Sequence, residues 1–153
     1  MATIRDYVDG DAHFLLPLLE RGLAPYGLES DVATTDKDLL DIRRSYLDSG
    51  GRFRILVNET GVIGMYGLFN EGNGTVELRK MYLDPAWKGM GFGKLLLADA
   101  IDLARDAGFT RMSLETNSVL REAIGLYRKF GFVDVESSPL ASRCDLAMAM
   151  DLD

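Results

Sequence analysis

The segment Lys88-Gly89-Met90-Gly91-Phe92-Gly93-Lys94 puts glycine at every second position between a strand-like run and a helix-like run. Glycine lets backbone approach a ligand closely, and the helix that follows offers unpaired N–H groups and a positive dipole end to an anion. That chemistry is a phosphate cradle. Spacing excludes two familiar versions of it. A P-loop needs four residues between its glycines and then Lys and Ser or Thr, whereas Gly89 and Gly93 enclose three residues and Lys94 is followed by Leu95. A dinucleotide fingerprint needs a third glycine where Leu96 stands, and it opens the first strand–helix unit rather than one past mid-chain. A tight turn without a ligand is the alternative reading of the same glycines.

A cradle of this kind has to be carried by a strand before it and a helix after it. The run 76–83 has strand character. The run 94–107 places Leu96, Ala100, Leu103 and Ala107 on one stripe and Asp99, Asp102 and Asp106 on another, predicting a helix packed on a sheet and ended by Gly108. Upstream, a short strand over 3–8 leads to turn and N-cap residues at Asp9-Gly10-Asp11 and a helix over 12–23, broken by Gly22 and Pro25. Thr35 or Asp36 can cap a second helix over 37–47, stopped by Gly50-Gly51, and the stretch 24–34 between the two is irregular. Strand-like runs over 53–58, 62–70 and 75–83 are joined by short turn segments, which predicts antiparallel hairpins rather than helical crossovers. A strand over 112–116, a helix over 119–130 and closing strands over 133–136 and 144–150 complete an α+β architecture with a mixed, mostly antiparallel sheet flanked by helices.

The length of 153 residues predicts one domain with a real core, and 47% hydrophobic with 27% charged residues is an ordinary soluble composition. A net charge of −7 argues against nucleic acid, whose phosphates are bound by excess Lys and Arg, and is compatible with a cationic amine. A single cysteine, Cys144, makes no internal disulfide and fits a reducing cytoplasm. No apolar run reaches ~18 residues and the start Met1-Ala2-Thr3-Ile4-Arg5-Asp6 is acidic, so neither membrane nor secretion is expected. No Cys/His cluster suggests a metal; Cys144 reads as a small core residue, and His13, the one histidine, as packed or at the surface.

Three motifs covering residues 76–132 carry a resemblance. The segment 88–93 matches [RQ]-x-x-G-x-[GA] with Lys88 at the Arg/Gln position. Leu78-Arg79-Lys80-Met81-Tyr82-Leu83-Asp84-Pro85 is similar to the strand before that loop. Ala123-Ile124-Gly125-Leu126-Tyr127-Arg128-Lys129-Phe130-Gly131-Phe132 is similar to A-x-x-L-Y-x-x-x-G-F. Together they resemble the GNAT superfamily of acyl-CoA-dependent N-acyltransferases. The resemblance implies a three-layer α/β/α fold and acetyl-CoA as co-substrate, with no metal. The pyrophosphate would sit on Lys88, Gly89, Met90, Gly91, Phe92, Gly93 and Lys94. The pantetheine arm would pair with a splayed strand at Met81, Tyr82 and Leu83, with the thioester near Met81 and its N–H on the carbonyl oxygen. Lys88 lacks the bidentate geometry of the usual Arg. Tyr127 holds the position of the family's general acid, with a core tyrosine as the alternative. Glu77 is a candidate base; a surface ion pair with Arg79, Glu115 in its place, or a water relay are alternatives. Asn117 either contacts CoA, where Leu120 replaces the family's Asn, or caps a helix. The resemblance further implies direct acetyl transfer to a primary amine of a small molecule or protein, a specificity wall over 24–34, and a homodimer through the last strands. The alternative is a CoA-binding regulatory or interaction module without turnover.

Overall fold

The computed structural model describes residues 1–137 and 140–153. Seven strands form one sheet: β1 (Thr3–Asp6), β2 (Arg52–Asn58), β3 (Gly61–Gly72), β4 (Thr75–Leu83), β5 (Arg111–Thr116), β6 (Val133–Val135) and β7 (Leu146–Asp151), in the spatial order β1-β2-β3-β4-β5-β7-β6. β4 and β5 are parallel, and every other neighbouring pair is antiparallel. The one parallel pair is joined through a helix, α2 (Phe92–Asp106), because parallel neighbours require a crossover. β3 and β4 are joined by a tight turn with Asn73 and Gly74 at positive φ.

Helices cover both sides of the sheet. On one side α2 buries Leu96, Leu97, Ala100, Ile101 and Ala104, and α3 (Arg121–Phe130) buries Ile124 and Tyr127, against inward residues such as Val76, Leu78, Met112 and Leu114. On the other, α1 (Ala12–Leu23) buries Leu15, Leu18, Leu19 and Leu23 with Tyr46, Phe53, Ile55 and Met65. Alternation along β4 therefore leaves Glu77 and Arg79 on the α1 side of the sheet, opposite Val76 and Leu78. Among the described residues no helix is long and apolar enough to cross a membrane.

Three expectations are corrected. The helix expected over 37–47 is a 3-10 turn, Lys37–Leu40, and a single π turn, Arg43–Leu47, separated at Asp41, which leaves helical geometry at φ −153°. Asp36 does not cap the first turn, because its carboxylate is taken by Arg143; Asp41 instead accepts the Arg44 N–H at 3.1 Å and starts the second. Finally, Cys144 was expected in a closing strand over 144–150. β7 begins at Leu146, so Cys144 lies in the preceding turn rather than in a core strand.

Candidate active site

β4 and β5 pair only from Thr75↔Arg111 to Glu77↔Ser113. Across β4's other edge, Gly67 pairs with Arg79 and Met65 with Tyr82, so Lys80 and Met81 together oppose Tyr66 alone. This is a β-bulge, and Lys80 sits in it at φ +55°. A bulge bends and twists its strand, here at the point beyond which β4 and β5 part. The gap is a cleft of about 700 Å³. β4 from Leu78 to Leu83 forms one wall, Leu114 to Asn117 the other; the glycine loop closes one end and Tyr127 of α3 lies alongside. A polar hollow of about 590 Å³ shares Glu77, Arg79, Leu114 and Glu115 with the cleft, so the gap is reached from two sides.

The glycine loop ends at Gly91, the N-cap of α2, and Gly89 and Gly91 hold φ of +80° and +85°, which side-chain-bearing residues rarely adopt. The first helical bond runs from Leu95 N to Gly91 O at 3.0 Å and no side chain caps the helix, so the N–H groups of Phe92, Gly93 and Lys94 have no helical partner. Gly89, Gly91, Phe92 and Gly93 line the cleft; Met90 and Lys94 are exposed and outside its lining. Lys88 Nζ donates to Tyr26 Oη at 2.6 Å, and Tyr26 Oη donates to Glu122 Oε2 at 2.8 Å, a strap joining the turn after α1, the glycine loop and α3.

Tyr127 is 6% exposed, packs on Phe132 at 5.6 Å between ring centroids and lines the cleft. Burial, with Tyr82 and Cys144 nearby, pushes its hydroxyl well above the ordinary phenol range. Glu77 is paired with Arg79, but the pair is built into the cleft wall rather than an open surface: the Glu77 side chain is 14% exposed, and Arg79 stacks over Phe69 at 3.9 Å. Burial, opposed by Arg79, holds the Glu77 carboxyl above its usual range. Glu115 accepts the Ala141 N–H at 2.9 Å. Asn117 lines the cleft while its side chain accepts from Val119 N at 3.0 Å and donates to Arg143 O at 2.9 Å, which makes it the brace of the turn entering α3. Leu120 is the N-cap of α3 and also lines the cleft. Burial pushes the Cys144 thiol up to about 11.

Met81, Tyr82, Leu83, Lys88, Gly89, Gly91, Phe92, Gly93, Asn117, Tyr127 and Glu77 are thus gathered around one cleft. Tyr26 lies in the 24–34 segment expected to wall the site, whereas Lys80, Asp38 and Arg143 are charged cleft residues that the sequence reading gave no role. Lys80 left a trace. Two adjacent charged residues, Arg79-Lys80, interrupt the alternation of β4, as an inserted bulge residue does.

The profile of the Acetyltransferase (GNAT) family matches residues 19–132. The uncharacterized N-acetyltransferase YjgM of Escherichia coli K12 is 36% identical over 118 residues, 74% of this chain and 71% of that protein. An acetyltransferase of the GNAT family from Staphylococcus aureus Mu50 superposes with a TM-score of 0.92 at 22% identity, covering 100% of both chains. The PaiA N-acetyltransferase from Thermoplasma acidophilum, solved in complex with coenzyme A, superposes at 0.81 with 20% identity over 99% of each chain.

Proposed function

The chain belongs to the GNAT acetyltransferase family, and from that premise we propose that it transfers the acetyl group of acetyl-CoA to a primary amine by direct attack in a ternary complex. The observation that carries this reading is the meeting, in one cleft, of a strand edge opened by a bulge and a helix N-terminus without a side-chain cap. Those two features suit an extended pantetheine and a pyrophosphate, and the Thermoplasma relative in the same fold holds coenzyme A.

Acetyl-CoA, when bound, supplies an activated acetyl thioester. In this proposal the N–H groups of the Gly89–Lys94 loop hold the pyrophosphate, with Lys88 released from Tyr26 to add its charge. The open edge at Met81, Tyr82 and Leu83 orients the pantetheine, and Met81 N–H meets the charge that develops on the carbonyl oxygen. The acceptor ammonium has a pKa of ~10 and must lose a proton before it attacks. Glu77 takes that proton, directly or through water, and its raised pKa brings it nearer to neutrality than a free glutamate. The C–N bond forms as the C–S bond breaks, and the second proton of the attacking nitrogen passes through water to the departing thiolate. Tyr127 stays protonated and donates a hydrogen bond to the departing sulfur. A phenol is a weaker acid than a thiol (about 10 against about 8.5), and burial weakens it further, so its contribution is charge stabilisation rather than a completed proton transfer. The net charge of −7 suits a cationic acceptor, either a small amine or a protein amine.

The test is calorimetric titration with acetyl-CoA followed by thiol release in the presence of a panel of primary amines. Saturable, near-stoichiometric binding and amine-dependent release are expected. Absence of binding at millimolar acetyl-CoA would overturn the reading.

A further inference from the structure

We propose that Lys80 is a positioning residue for acetyl transfer: its side chain, locked to a buried acidic anchor, holds the left-handed backbone of the β4 bulge and so aims the Met81 peptide N–H. The inference rests on the acetyl-transfer reading of this cleft.

Lys80 adopts φ +55°, a conformation costly for a residue with a Cβ and normally left to Gly, Asn or Asp. Such strain persists only where the surroundings over-determine it. Here the determinant is the far end of the side chain. The Lys80 side chain is 8% exposed, and its Nζ lies 3.2 Å from Thr35 O, 3.3 Å from Asp36 Oδ1 and 3.1 Å from Asp38 Oδ1. Both carboxylates are themselves fixed. Asp36, 0% exposed, is gripped by Arg143 through Nη1 at 2.6 Å and Nη2 at 2.8 Å and also accepts Asp31 N at 2.8 Å. Asp38 accepts from the buried Tyr46 hydroxyl.

The Lys80 ammonium donates to Thr35 O and is ion-paired with Asp36 and Asp38, the latter through an Oδ1 that accepts no hydrogen bond, so its charge is already engaged in the anchor. What it can transmit is geometry. The ψ angle of residue 80 orients the peptide that ends in Met81 N–H, and Met81 is the other residue of the bulge. Thr35, Asp38 and Arg143 of the anchor line the same cleft, so the wall facing the acceptor is tied to the strand facing the thioester.

The experiment measures kcat and KM for acetyl-CoA in amine-dependent thiol release, with melting temperatures, for wild type, Lys80→Ala, Lys80→Gly and Lys80→Asn. Lys80→Ala loses the anchor and keeps the strain, so kcat falls on the order of 100-fold, as for a misplaced catalytic group, with KM nearly unchanged. Lys80→Gly and Lys80→Asn also lose the anchor but adopt positive φ readily, and each recovers at least about tenfold of that loss. At a left-handed residue glycine also suits stability better than alanine, so the melting temperatures carry the structural effect, and a change in kcat at unchanged KM, read well below those melting temperatures, carries the positioning one. An active wild type in which Gly and Asn are as slow as Ala, or in which Ala is as fast as wild type, overturns this inference alone. A wild type that releases no thiol with any amine overturns the acetyl-transfer reading and this inference with it.

Discussion

A tyrosine in a hydrophobic helix stripe and a glutamate beside an arginine carry little information as residue types; what distinguishes Tyr127 and Glu77 is that both line a cleft while mostly buried. Tyr127→Phe removes one hydroxyl from a packed ring. It is expected to lower kcat by about 100-fold or more with KM for acetyl-CoA unchanged, since a hydrogen bond to the leaving sulfur exists only as the C–S bond breaks. Unaltered kcat would return Tyr127 to the core. Glu77 works as a base only when ionised, and burial raises its pKa. The rate therefore falls as pH drops through that raised value, above the ~4.3 of a free glutamate, and recovers as pH rises. A pH profile of kcat/KM checks this: Glu77→Gln should lose the acid limb along with most of the rate, and an unchanged limb would point to a water relay. The motif position of Tyr127 was legible in the chain. The burial that tunes both groups was not, because it depends on residues far away in sequence.

At the scale of elements, β4 was legible to the residue and the helix after it nearly so, since α2 starts at Phe92 where 94 was expected. The glycines of the loop are not equivalent. Gly89 and Gly91 need left-handed backbone, with open space where a Cβ would go, so Gly91→Ala should cost about 1–2 kcal/mol by conformation alone and weaken acetyl-CoA binding. Gly93 is helical, and a Cβ there would meet Leu126 Cδ2 at 3.6 Å, an ordinary contact. Gly93→Ala should be neutral or stabilise by up to about 1 kcal/mol. Thermal melts and calorimetry on the two variants separate these outcomes; equal effects would show that the loop's conformation is not what matters. The broken 37–47 segment was illegible for a different reason. Its apolar residues have helical spacing, but Asp36 is drawn to Arg143 and Asp38 to Tyr46, and no local pattern announces a partner 107 residues away.

Across the whole molecule, the buried Asp36–Arg143 pair ties the turn before Lys37–Leu40 to the turn before β7 and supports Lys80 between them. Arg143→Met takes two hydrogen bonds from buried Asp36 and leaves it the Lys80 charge and the Asp31 N–H, so it is expected to destabilise the fold by about 1–3 kcal/mol in urea denaturation at neutral pH. Burial alone would raise the Asp36 pKa; hydrogen bonds from Arg143 and the Asp31 N–H, with the charge of Lys80, bring it below the ordinary carboxylate value. Its stabilising contribution is therefore complete above ~3.9 and lost as pH falls through the depressed value. Stability measured from pH 6 to pH 2 should fall less steeply at the acid end in Arg143→Met, and an identical slope would remove Asp36 from the account. The sequence by itself determined the α+β class, the hairpins, the α2 helix and the family, because hydrophobic period, turn residues and a glycine loop are local signals. Only the tertiary structure decided where β4 leaves β5, which charges are locked together beneath the bulge, and which groups face the cleft. Those outcomes follow from contacts between residues distant in the chain, and their energies depend on burial that exists only once the layers have closed.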